Sequence, residues 1–380
     1  MLRETQAMSS SSPSPAPGRP GHPVRIVHYY PRALAGDGGC TASVRGWASA
    51  EAQSGADVVL AGDPGRGEAP NGVRYVELTR RGWRGLKGPV GMQDVLDQAD
   101  LLVLHSGWVL HNVIAARAAD RAGVPYIATP HGAYNPNVFG RRRVAKSVWW
   151  TLFERRVLLG ARAVHVFFEE EIEFVTAVGY RGSFVISPNG VTLPTFEDHP
   201  RRRGYALWMG RFDVETKGID LVLHAYARLP KESRPPLRLH GPDWRGGKER
   251  TRKMVQDLRL GDSVTIGPAT YGDEKWRLLR GCDLFLFTPR WDSSSVMALE
   301  AAGAEAPMVA TTATFVGRQL AAGGGAILVD PTIDGIAAGI VEGLDERGPE
   351  LGHRAGAIVR ERFTWSAVSQ RLLHQLESLR

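Results

Sequence analysis

Short apolar runs alternating with helix-length stretches predict an α/β protein of two doubly wound, Rossmann-like domains facing a central cleft. Two observations carry this expectation. The alternation extends from Val24 almost to the end of the chain, and the strand candidates are continuously apolar, as parallel strands covered on both faces are. It breaks once, at Pro194–Arg203, where two prolines and three consecutive arginines show no periodicity. The length of 380 residues also suits two domains.

In the first series, strands are expected at Val24–His28, Asp57–Ala61, Leu101–His105, Pro125–Thr129, Ala163–Val166 and Ser183–Ile186. Helices are expected at Ala42–Gln53, Val109–Ala122, Arg143–Leu159 and Glu170–Val178. In the second series the strands are Tyr205–Met209, Pro236–His240, Ser263–Ile266, Asp283–Phe287, Met308–Ala310 and Ala326–Val329. Its helices are Gly218–Arg228, Lys248–Leu260, Glu274–Arg280, Val296–Ala302 and Ile333–Leu344. The expected domains are 24–195 and 204–364. Residues 1–23 hold five serines and five prolines and are expected to be disordered.

Composition narrows the chemistry. A hydrophobic share of 43% excludes a disordered chain. Two cysteines, Cys40 and Cys282, exclude a disulfide scaffold and a four-cysteine zinc module. No apolar run approaches the ~20 residues that span a bilayer, and no secretory h-region is present. The expected compartment is the cytoplasm. The net charge of +7 suits nucleic acid, an anionic membrane surface or a phosphorylated small molecule. No nucleic-acid motif is present, so nucleic acid is not expected as a partner.

Ligands of doubly wound sheets sit beyond the carboxyl ends of the strands. In Ala206–Ala227, a strand runs into Gly210 and Arg211, then a polar loop, then Lys217-Gly218 opening a helix. Two cations and a helix N-terminus read as a diphosphate clamp, or as a solvated surface loop. In Phe287–Ala302, Asp292 follows a strand, Ser295 is a good N-cap, and Glu300 lies more than one turn inside the helix. An acceptor-only carboxylate there suits the paired hydroxyls of a ribose, and Asp292 the hydroxyls of a second sugar. A loop cap and a solvated helix residue are the plainer alternatives. His131 directly follows a strand in TPHGAYNP, and the Gly36–Gly39 loop precedes a helix without the dinucleotide fingerprint. SPNGV, at 187–191, is a turn signal. The helix around Arg141–Arg156 carries a cluster of arginines with Lys146, Trp149 and Trp150. That composition suits an anionic membrane surface, and equally a domain helix with a solvated basic face.

Other chemistries fit poorly. No cluster has zinc spacing and no Gly-x-Ser-x-Gly elbow occurs. Asp213 and Glu215 lie among cations inside the phosphate loop, so no metal site is expected.

Together these segments resemble the retaining glycosyltransferases of family 4, which have the GT-B fold. The likeness spans about Val24 to Arg380. Its most specific part is a pair of acids separated by seven residues, here Asp292 and Glu300 in PRWDSSSVMALEAAGAEAPMVAT. GRFDVETKGIDLVLHA is the second match, supported by SPNGV, PHGAYNP and FTWSAV.

The resemblance implies transfer of a hexosyl unit from a nucleoside-diphosphate sugar, a UDP-sugar first and GDP-mannose next. The acceptor would be a glycan, a lipid-linked glycan or a small natural product, and no metal or other cofactor is implied. Arg211 and Lys217 would hold the diphosphate, Glu300 the ribose and Asp292 the donor sugar. Gly210 would let the backbone approach the donor, and the backbone of Ser295, Val296 and Met297 would support phosphate and sugar. Gly267 and Tyr271 would border the base. Gly38 and Gly39 would approach the phosphate from the first domain, and His131 would reach the transferred sugar. The helix over 365–380 would cross back to the first domain. The sequence departs from the family's pattern where Asp292 replaces the usual Glu and three serines follow it. A non-catalytic sugar-nucleotide or glycan-binding protein, and a GT-B epimerase or hydrolase, are the alternatives.

Overall fold

The structure, a computed structural model, describes residues 23–34, 38–65, 67–83, 86–139, 143–196, 204–345 and 347–377. The expected disordered tail up to residue 22, Arg141, Arg142 and the linker arginines lie outside the described residues.

Thirteen of the fifteen described strands form two parallel sheets. The N-terminal half contributes β1 (Arg25–Tyr29), β2 (Asp57–Gly62), β3 (Val73–Glu77), β4 (Arg80–Trp83), β5 (Leu86–Pro89), β6 (Leu101–His105), β7 (Tyr126–Thr129), β8 (Ala163–Val166) and β9 (Ser183–Ile186). The C-terminal half contributes β10 (Ala206–Met209), β11 (Leu237–His240), β12 (Val264–Gly267), β13 (Leu284–Phe287), β14 (Met308–Thr311) and β15 (Ile327–Val329). The sheet orders are β3-β2-β1-β6-β7-β8-β9 and β12-β11-β10-β13-β14-β15, with β4 and β5 a separate antiparallel pair.

Successive strand residues point to opposite faces, and both faces are buried. In β10, Leu207 and Met209 enter one core with Phe285 and Ala302, while Ala206 and Trp208 enter another with Leu239 and Val222. This double burial explains the unbroken apolar runs of the sequence.

The sequence reading omits β3, the β4–β5 hairpin, and helices at Met92–Leu96, Phe315–Ala322 and Gly348–Arg362. β3 is an edge strand, VRYVE, buried on one side only at its start. The hairpin is anchored by a side chain, Arg80, which grips both Asp63 carboxylate oxygens. Gly352, inside the last of these helices, lies where an added Cβ would meet the Glu305 carbonyl at 2.2 Å, so packing favours a residue of poor helix propensity.

The helix expected over Arg143–Leu159 is interrupted by a π-turn at Trp150–Glu154. The wide turn coincides with the inward placement of Glu154, whose carboxylate accepts from Trp108 N–H, Tyr134 O–H and Trp149 Nε1–H. Burial raises the Glu154 pKa, and these donors oppose the shift.

The Trp365–Glu377 helix packs on the N-terminal half. The Trp365 ring fills a slot that Cβ atoms on Gly46 or Gly190 would occupy, at 1.9 and 2.6 Å from it, and meets Trp47 edge-on. Farther along, Gln375 hydrogen-bonds both the N–H and the carbonyl of Ile186 at the margin of β9.

Candidate active site

Strand order reverses between β1 and β6 in one sheet and between β10 and β13 in the other. Loops leaving adjacent strands diverge at such a point and open a crevice. The Gly210–Gly218 loop follows β10 and the Thr288–Ser295 loop follows β13, so topology alone brings the two strongest sequence motifs together.

Their contact is close. Gly218 has φ +67°, and an added Cβ would stand 2.1 Å from the Thr288 carbonyl oxygen. Both facts demand glycine there. The Arg290 N–H donates to the Thr216 carbonyl, and its guanidinium grips both Asp220 oxygens at 2.8 and 2.7 Å. Between these ties, Lys217 Nζ lies 2.5 Å from Asp292 Oδ2. An ammonium has three donors, so this pairing leaves two for a ligand. Arg211 stacks on Trp244 at 4.4 Å and lies 3.7 Å from the Asp213 carboxylate, with 43% of its side chain exposed.

Glu300 is not a solvated helix residue. Its Oε1 lies 2.5 Å from Lys275 Nζ; burial raises its pKa and Lys275 opposes that shift. Ser295 caps the Val296–Gly303 helix, its hydroxyl accepting from the Ala298 N–H, which leaves Val296 and Met297 in the first turn. Tyr271 immediately precedes the Gly272–Gly281 helix that carries Lys275, and the residue is 61% exposed. At Gly267 a Cβ would strike the His240 ring at 2.4 Å, so packing already requires glycine there. Gly210 has only ordinary contact with the Trp208 ring. No contact links Gly267 or Tyr271 directly to Asp292 among the described residues.

The N-terminal half supplies the facing side. Gly38 and Gly39 begin the Gly39–Gln53 helix, and added Cβ atoms there would meet nothing within 4 Å. Packing therefore does not explain glycine at either position. His131 is half-buried with a left-handed backbone, φ +51°, and burial lowers its pKa to about 4, against the opposing pull of Glu171. Next to it, a Cβ on Gly132 would lie 3.8 Å from both Ser293 and Trp291 of the opposite half.

The three serines after Asp292 find their purpose here. Ser293 donates to Glu171 Oε1 at 2.6 Å. Ser294 accepts from the Asn189 N–H with its hydroxyl and from Asn189 Nδ2 with its carbonyl, at 2.8 and 2.7 Å. Ser295 is the helix cap. Asn189, in turn, accepts from Ser43. SPNGV is therefore more than a turn, since it joins the acid-bearing loop to the other half. Sequence reasoning missed Lys275, Glu171, Ser293, Ser294 and Asn189 as contacts. It also passed over His28 and His105, whose polar rings at the ends of apolar strands were the available signal.

Among the described residues, no group of three or more His, Cys, Asp or Glu side chains is gathered as metal ligands would be. No described helix is long and apolar enough to cross a membrane.

Residues 194–362 match the family described as glycosyl transferases group 1, and residues 38–190 match the glycosyl transferase 4-like domain. Phosphatidyl-myo-inositol mannosyltransferase of Mycolicibacterium smegmatis is 29% identical over 208 residues, which is 50% of this chain and 51% of that protein. The chain thus spans about half the length of this curated relative. Among solved structures, sucrose-phosphate synthase of Thermosynechococcus elongatus aligns with TM-score 0.77 at 18% identity, covering 94% of this chain and 99% of that one. HepE of Anabaena, in complex with UDP-glucose, aligns with TM-score 0.74 at 16% identity, covering 93% and 99%. These likenesses show the GT-B fold. With both family matches falling on the two sheets and meeting at the loops just described, the chain belongs to the group 1 glycosyltransferases of family 4.

Proposed function

We propose that the chain is a retaining hexosyltransferase that moves a sugar from a nucleoside diphosphate to a hydroxyl of a glycan, lipid-linked glycan or small natural product. The observation that carries this reading is the pairing of Lys217 with Asp292 at the reversal point of the second sheet, with Arg211 in the same loop. A cation aimed at a phosphate and a carboxylate aimed at sugar hydroxyls are what this chemistry needs. As the C1–O bond breaks, negative charge grows on the diphosphate. Lys217, Arg211 and the amides of Val296 and Met297 would offset it by fixed charge and dipole, with no metal needed. Glu300, held by Lys275, would take the ribose hydroxyls, and Gly267 and Tyr271 would border the base. Gly38, Gly39 and His131 would close over the donor from the other half and exclude water that would otherwise hydrolyse it. The acceptor hydroxyl would attack on the face the diphosphate leaves, passing its proton to that leaving group.

A UDP-sugar is the first donor to test, supported by the UDP-glucose bound in HepE, and GDP-mannose the second, supported by the mannosyltransferase relative. A thermal-shift screen against nucleoside diphosphates and their sugars tests the reading, because a ligand that binds only the folded state raises Tm. Product analysis with and without acceptor then separates transfer from hydrolysis. No shift with any nucleoside diphosphate would defeat the proposal.

The acceptor side suits a peripheral membrane contact. Val144, 81% exposed, recurs with exposed Val148 and Leu152 at helical spacing, and Arg155 and Arg156 are exposed beside them. Lys146, Trp149 and Trp150 do not join this face. Lys146 donates to the Val138 carbonyl, and the two indoles pack on Phe153 and Trp108. Flotation with anionic vesicles, lost in Val148→Glu, tests the contact.

A further inference from the structure

Three histidines from neighbouring strands form a chain that ends at the proposed sugar site. His28 lies in β1, His105 ends β6, and His131 follows β7, and these three strands are adjacent in the sheet. Glu51 Oε2 lies 2.6 Å from His28 Nε2, His28 Nδ1 lies 2.9 Å from His105 Nε2, and His105 Nδ1 lies 3.0 Å from His131 Nε2. Glu51, His28 and His105 are each only 1% exposed, so water cannot readily substitute for a missing partner.

The order of atoms gives the chain a direction. A carboxylate only accepts, so His28 must donate to Glu51 from Nε2. With His28 taken as a neutral ring, one nitrogen donates and the other accepts, so its Nδ1 accepts from His105 Nε2–H. By the same rule His105 Nδ1 accepts from His131 Nε2–H. His131 Nδ1 is left without a proton, and among the described residues it has no hydrogen-bond partner.

We propose that Glu51, His28 and His105 are positioning residues that fix the tautomer of His131, so that its Nδ1 meets the ligand as a hydrogen-bond acceptor. This rests on the reading of His131 as a contact of the transferred sugar. Burial favours the neutral form of His105 and of His131, holding the first well below the usual histidine range and the second at about 4. Other titratable groups face the chain, among them Tyr30, which packs edge-on against His105 and whose pKa burial raises. His165 donates Nε2–H to the Ser187 carbonyl, and Glu171 is engaged by Ser293 and the Phe167 N–H. Neither hydrogen-bonds His131 and so neither competes for its Nδ1. Such an acceptor selects a hydroxyl, which can donate, over a carboxylate at the same place on the sugar.

The test is nitrogen-15 NMR of the histidine rings in the full chain without ligand. The expected spectrum has His131 neutral, with Nε2 protonated and Nδ1 bare. His28→Leu removes the acceptor for His105 and is expected to mix the His131 tautomers and lower kcat/KM roughly 3- to 10-fold, the loss of one neutral hydrogen bond. His28→Gln, whose amide can donate to Glu51 and accept from His105, is expected to restore both. A wild-type His131 protonated on Nδ1 overturns the proposal even if His28→Leu fails to fold. A His131 tautomer unchanged in folded His28→Leu overturns it as well. Because the tautomer is read without substrate, failure of the transfer reading would appear in the activity assay alone.

Discussion

Lys217 Nζ and Asp292 Oδ2 meet at 2.5 Å from positions 75 residues apart. The same arrangement recurs at Lys275 and Glu300, so each acid of the spaced pair is matched by its own lysine. A buried carboxylate without a cation would tend to take up a proton and lose its value as an acceptor for hydroxyls. At Glu300, where burial raises the pKa, Lys275 counters that tendency before any ligand arrives.

Lys217→Ala is expected to reduce transfer by ~100-fold or more, the scale of one lost transition-state donor. Steady-state rates with the donor identified by the thermal-shift screen check this. A variant turning over at the wild-type rate would remove Lys217 from the chemistry.

Glu300→Ala is expected to weaken binding of the free nucleoside diphosphate by roughly 10- to 100-fold, the cost of hydrogen bonds to a charged group. Lys275→Ala should weaken it more as the pH falls, because burial alone would then govern the Glu300 carboxyl and raise its pKa further. Calorimetric titration at two pH values separates the two effects.

His165 is buried and its pKa is lowered to about 4, chiefly by burial, with the Ser187 carbonyl opposing. The neutral form is thus favoured by folding. Its contribution is present above the unfolded value of 6.5 and lost as the pH falls through about 4. The shift corresponds to on the order of 3 kcal/mol. Raised carboxyls such as Glu154 and Glu171 act in the opposite sense, so a difference measurement is needed. The Tm advantage of wild type over His165→Gln should shrink between pH 6.5 and 4; a constant gap would contradict the shift.

The architecture was legible because double burial writes parallel strands as plain apolar runs, and β10 and β13 are clear examples. Edge and hairpin strands carry no such mark, so VRYVE and the glycine-bearing β4–β5 pair escaped. Within the candidate site, structural features local to a loop could be read: Gly218 opening a helix after Lys217, and Ser295 capping the helix that carries Glu300. Residues whose role is a contact across the molecule could not. Ser293 and Glu171 are 122 positions apart, and Asn189 and Ser294 are 105 apart, and no local pattern encodes such pairs. The π-turn was hidden for a related reason, since Glu154 has its partners at Trp108 and Tyr134 as well as nearby.

Gly46→Ala is expected to eject the Trp365 ring, because the new methyl would stand 1.9 Å from it. Limited proteolysis should then cut within 365–377 at a lower protease dose than in wild type, while Gly261→Ala, at an exposed turn where a Cβ meets nothing within 4 Å, should leave this segment protected.

The Gln375 amide has a consequence for the molecule's behaviour in crowded solution. The free margin of a β-sheet is a template on which another polypeptide can zip, and unprotected margins are where aggregates begin. At the end of β9 that template is already taken, because one side-chain amide satisfies both main-chain groups of Ile186. A molecule clipped ahead of Gln375 would present this margin bare and is expected to self-associate more readily.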